Sequence, residues 1–96
     1  MISVLYVDTG KDFFPAFKMW HKFCVNGIRC SFHGERLSLR KQMKLAGRQG
    51  STFCLIYGFS EGLVLKDMKT GEQEVVTEGE VFDRFMYGSD EFWEVA

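Results

Sequence analysis

Two stretches of this chain are almost continuously apolar, Ile2 to Val7 (ISVLYV) and Ser51 to Gly58 (STFCLIYG). Runs of that kind suit central strands covered on both faces. Ile28, Cys30 and Phe32 instead alternate with Arg29, Ser31 and His33, which predicts an edge strand with one wet face. Between the first two strands lies a helix: Asp12 is placed as N-cap and Pro15 falls in the first turn. Phe13, Phe17, Trp20 and Cys24 recur at helical spacing, and Gly27 closes it. A second helix starts at the N-cap Ser38 and stops at Gly50, with Leu39, Met43 and Ala46 as its inner stripe. Leu63, Val64 and Leu65 form a further strand. Lys69-Thr70-Gly71 makes a three-residue hairpin connection with Gly where positive φ is needed, and Glu72 to Val76 returns as partner strand. Thr77-Glu78-Gly79-Glu80 reads as a capping box opening a third helix, with Val81, Phe82, Phe85 and Met86 inward and Gly88 as its end.

This order predicts one α/β domain over residues 1–96, a mixed five-stranded sheet flanked by three helices. Right-handed crossovers put the first strand between the second and third, with the second outermost. Leu5, Val7, Leu55 and Ile56 are expected in the core against Phe17, Trp20, Met43 and Phe82. The winding reverses between the first and third strands, and open α/β sheets bind ligands outside the carboxyl ends of the strands at such a point. Asp8-Thr9-Gly10 and Gly58-Phe59-Ser60-Glu61 line it.

Charge changes the picture. The total is −1, yet residues 1–58 hold nine Lys/Arg against three Asp/Glu, net +6. Residues 59–96 hold three against ten, net −7. That split permits a basic binding face despite a near-neutral total, although mutual neutralisation of the halves across the fold is the competing outcome. Cys24, Cys30 and Cys54 form no CxxC or Cys/His cluster, and read as reduced, mostly buried thiols of a cytoplasmic protein. No apolar run approaches a membrane span, and Met1-Ile2-Ser3 lacks the charged start of a signal peptide. No nucleophile pair, paired carboxylates or phosphate-cradling glycine loop is present, so no catalytic residue, metal or cofactor is expected.

The apolar strand FCLIYG, the acidic Glu61 and the segment LVLKDMKTGEQ follow one another as in the anticodon-binding domain of class II aminoacyl-tRNA synthetases. Gly27-Ile28 and SLRKQMKLAGRQGSTFCLIYG extend the resemblance, which covers roughly Ser3 to Phe85 and is strongest to the histidyl branch. The resemblance implies a non-catalytic module that contacts a tRNA anticodon loop or similar structured RNA. It also implies that Glu61, Lys66 and the loop around His33, Gly34 and Glu35 help read bases. The link from Glu61 to the next strand is shorter than the family's usual one.

The residue types suit that use: a carboxylate accepts from exocyclic amines, Lys donates to base or phosphate acceptors, and Phe59 or Tyr57 could stack. Arg40, Lys44 and Arg48 recur every four residues, with Lys41 beside them, and suit backbone tracking. Glu61, Lys66, Phe59 and Thr9 form one part of the expected RNA-binding set. His33, Arg36, Arg40, Lys44 and Arg48 form the other. Each also has an ordinary reading, as turn residue, core ring, cross-strand partner or solvated face. The alternative function is a protein–protein or regulatory module that kept the fold without RNA reading, with a synthetase-like or other protein as partner. The acidic second half and the tail Asp90-Glu91-Phe92-Trp93-Glu94 favour that alternative.

Overall fold

The computed structural model describes residues 1–6, 14–32, 38–59 and 62–95, with side chains described as far as Tyr87. The elements run β1 (Ile2–Tyr6), α1 (Phe14–Val25), β2 (Cys30–Phe32), α2 (Leu39–Arg48), β3 (Phe53–Phe59), β4 (Gly62–Asp67), β5 (Gln73–Val76) and α3 (Glu78–Val95). The strands form one sheet in the order β2-β1-β3-β4-β5. β1 is parallel to both β2 and β3, with Val4 opposite Phe32 on one side and Leu55 on the other. β4 runs antiparallel to β3, and β5 antiparallel to β4. The mixed five-stranded sheet, its three helices and its strand order are those the apolar pattern predicts.

Alternation along the central strands divides their side chains between two cores. Ile2, Val4, Leu55, Leu63, Leu65 and Val76 face one side, where Ala16, Met19 and Phe23 of α1 and Val81 of α3 cover them. Leu5, Cys54, Ile56 and Val64 face the other, covered by Ala46 of α2 with Leu39 and Met43 at its margin. Thus α1 and α3 share one face of the sheet and α2 lies on the other. Phe23 ties the first layer together: it is fully buried, stacks on Phe82 at 6.1 Å and meets Phe85 edge-on. Burying such a ring stabilises the fold by about 3 kcal/mol.

Three boundary devices follow the sequence closely. Ser38 caps α2, its hydroxyl accepting from the Lys41 N–H, and Thr77 caps α3, its hydroxyl accepting from the Glu80 N–H at 3.1 Å. Gly71 completes the β4–β5 connection at φ +81°. At the end of α1, Gly27 takes φ +80° and donates to the Cys24 carbonyl, while the Ile28 N–H reaches the Phe23 carbonyl at 2.9 Å. This pair of bonds satisfies carbonyls that the helix end would otherwise orphan.

Two expectations are corrected. The buried stripe of α1 is Ala16, Met19 and Phe23; Phe17 and Cys24 are exposed and Trp20 is half-buried. The helix is apolar around much of its circumference, so the aromatic spacing picks a phase one residue off. Gly88 does not end α3, which continues to Val95. A glycine inside a helix costs only about 1 kcal/mol and need not stop it. Asp12, Phe13 and Val7 lie outside the described residues, as do the side chains of Phe92 and Trp93.

Candidate nucleic-acid interface

α2 is built from two opposed faces. Gln42 and Ala46 are buried with Leu39 and Met43 beside them, whereas Arg40, Lys41, Lys44 and Arg48 are all exposed. At 100° per residue the four cations centre on the side away from the sheet. Arg40, Lys44 and Arg48 therefore form the expected line, spanning about 12 Å of helix. Among the described residues none of these four forms an ion pair; the one pair present is Arg84 with Glu74, on the opposite side of the sheet.

The helix is fixed to the sheet by a buried side chain that apolar periodicity does not reveal. The Gln42 amide accepts from the Tyr6 N–H at 3.0 Å and donates to the Tyr6 carbonyl at 2.6 Å. Tyr6 lies beyond the last β1–β2 pair, so the amide takes the place of a strand neighbour there. A second polar seam joins Ser3 to Ser31 and to Ser51, with Ser31 donating to Gln49 Oε1 at 3.0 Å. A Gln at an inner-stripe position, three residues after Leu39 and four before Ala46, is the signal that could have exposed the first contact.

The remaining candidates separate. A register shift between Ile56 and Phe59 turns the Phe59 ring toward the Leu5–Ile56 core, where it is partly buried. Tyr57 packs against the other core, with its hydroxyl buried, and burial together with nearby Glu78 raises its pKa. Both rings serve the interior. Lys66 pairs opposite Cys54 and Gln73, whereas Phe59 pairs opposite Gly62. The four-residue step from Gly62 to Lys66 puts Lys66 about 13 Å from the carboxyl end of β3. Lys66 thus does not flank the switch point, and stands instead on the β4–β5 face that α2 leaves uncovered. Thr9, His33, Arg36 and Glu61 lie outside the described residues.

The thiols offer no reactive centre in the sheet. Burial pushes Cys30 up to about 12, helped by Cys24, and pushes Cys54 up to about 11 against the opposing pull of Lys66. Cys24 is exposed, which departs from the expectation of mostly buried thiols. Among the described residues no group of three or more His, Cys, Asp or Glu could hold a metal ion. No described helix is long and apolar enough to cross a membrane.

A parallel core of three strands, an antiparallel hairpin and a basic helix beside the switch point define one class of mixed α/β domain. The family model described as anticodon binding domain matches residues 3–86, and the chain belongs to that family, which class II aminoacyl-tRNA synthetases carry. The histidine–tRNA ligase of Nostoc punctiforme is 35% identical over 76 residues, covering 74% of this chain and 16% of that protein. The chain therefore spans about a sixth of the length of that relative. Among solved structures, the RNA binding domain of threonyl-tRNA synthetase from Cryptosporidium parvum superposes with a TM-score of 0.77 at 18% identity, covering 88% of this chain and 22% of that one. Apo histidyl-tRNA synthetase from S. aureus gives 0.74 at 24% identity, covering 88% and 23%. At those identities the structural likeness speaks for the fold.

Proposed function

We propose that this domain is a non-catalytic RNA-binding module that contacts a tRNA anticodon loop or a similarly structured RNA. The observation that carries the reading is the face of α2, where Arg40, Lys41, Lys44 and Arg48 stand exposed without described carboxylate partners in a chain of the anticodon-binding family. Exposed cations along a helix neutralise successive phosphates and release counterions, which binds RNA without reading its sequence. Base reading falls to the carboxyl ends of β1 and β3, where Glu61 follows Phe59 in the chain. Lys66, displaced along β4, approaches from the uncovered sheet face as a phosphate or base-edge donor.

Titration with bulk tRNA at varied salt tests this. With about 3–4 phosphate contacts, log affinity falls against log salt with a slope of roughly −2 to −3. Removing Arg40, Lys44 or Arg48 singly weakens all RNAs alike and flattens that slope by about one unit or less. Glu61→Ala instead lowers the ratio of cognate to non-cognate affinity, at about 1–3 kcal/mol on the preferred RNA. Absence of any tRNA binding at low salt overturns the reading and leaves protein assembly as the role of the fold.

A further inference from the structure

Among the described residues from 1 to 59 there are seven Lys or Arg and no Asp or Glu; every described carboxylate lies on β4, β5, α3 or their connections. The sheet therefore carries its positive charge toward the β2 edge and its negative charge toward β5. On the positive side, α1 also exposes two aromatic rings, Phe14 at 51% and Phe17 at 37%. Their centroids lie 6.3 Å apart with planes inclined by 16°, so the two rings present nearly parallel faces. Phe17 is held from behind by Trp20 at 5.5 Å and by the edge of Phe32 at 5.9 Å. Trp20 is itself fixed by its indole N–H, which donates to the Cys30 carbonyl at 3.1 Å. Lys18 sets its ammonium 5.3 Å from the Phe14 ring centre.

Phe14 opens α1 and Phe32 closes β2, so the cluster stands at the carboxyl end of β1 and β2. The first turn of α2, with Arg40, lies at that same end on the other face of the sheet. We propose that Phe14 and Phe17, with Lys18 beside them, form a stacking platform for unpaired RNA bases, the part played by neither core-packed Phe59 nor Tyr57. The inference rests on the RNA-binding reading above and adds where bases, as distinct from phosphates, are held. Stacking needs a ring face whose orientation is already fixed, and it is tolerant of sequence because every base has a π-face. Among the described residues this side of the fold holds Lys18, His21, Lys22 and Arg29 and no carboxylate, a balance that favours a polyanion over an apolar protein as the partner.

The experiment compares the unaltered chain, the double variant Phe14→Leu/Phe17→Leu and the pair Arg40→Ala/Lys44→Ala. Each is titrated with a short oligouridylate and with an abasic oligonucleotide of equal length. Leucine keeps apolar contact at these exposed positions and removes the ring face, and thermal unfolding confirms that both variants fold. The expected result is a loss of about ten-fold in oligouridylate affinity for the ring variant, with its abasic affinity and salt slope unchanged. The cation variant loses affinity for both. Equal loss on both probes by the ring variant, or none, overturns the platform while leaving the RNA reading intact. A change in sedimentation with concentration, at unaltered oligouridylate affinity, also overturns it and makes this face a contact between copies. If the unaltered chain binds neither probe nor tRNA, the RNA reading itself falls.

Discussion

At the scale of single residues, the most consequential side chain is one with no charge. Gln42 is fully buried and both ends of its amide hold the Tyr6 backbone, so a hydrocarbon there would remove two part-buried hydrogen bonds at once. Gln42→Leu is expected to cost about 2–4 kcal/mol, read from urea unfolding. Gln42→Glu should fall between the two, since a carboxylate accepts from Tyr6 but cannot donate to its carbonyl. The thiols make a second prediction. Cys30 and Cys54 ionise near 12 and 11 in the folded chain against an ordinary value of 9.0. A raised folded-state pKa stabilises the fold in full below the unfolded value and loses that contribution as pH climbs through the folded one. The unfolding midpoint should therefore hold steady to about pH 9 and drop between there and about pH 12, with Cys54→Ala removing part of the drop. Alkylation at mild pH should mark Cys24 alone until the protein is unfolded, since it is the exposed thiol.

Among elements, the strands were more legible than the helix faces. ISVLY and FCLIYGF are apolar at successive positions because both faces of β1 and β3 are covered, so no phase has to be chosen. α1 poses the harder problem. Phe14, Phe17 and Trp20 sit on its flank while Ala16, Met19 and Phe23 meet the sheet, the small Ala16 letting the helix lie close on the strands and the flexible Met19 filling the space beside it. Hydrophobicity therefore overstated the burial of Phe17 and missed Ala16. The candidate site divides similarly: the cation line of α2 follows from spacing alone, whereas the displacement of Lys66 from the switch point depends on strand register. Helix termination was legible at Gly27, whose Cβ would meet nothing within 4 Å but whose φ of +80° disfavours any side chain. Gly27→Ala should thus cost about 1–2 kcal/mol through backbone strain alone, measured as a shift in the urea midpoint.

For the whole molecule, the division of charge across the sheet makes a spatial prediction. Amide chemical shifts on addition of RNA should move most in α1, β2 and α2, less around Lys66, and least in the β4–β5 connection and at Glu72 and Glu74. A perturbation map centred on that acidic hairpin would contradict the proposed orientation. The two cores also differ in depth. α1 and α3 interlock around Phe23 on one face, whereas α2 alone covers the other, resting on Ala46, the margins of Leu39 and Met43, and the Gln42 amide. A layer held so lightly is where local opening needs the least free energy. Amides of α2 should accordingly exchange with solvent sooner than those of β1 and β3. If RNA grips its cations, those same amides should show the largest slowing, and the thinnest part of the fold becomes its most sensitive reporter of occupancy.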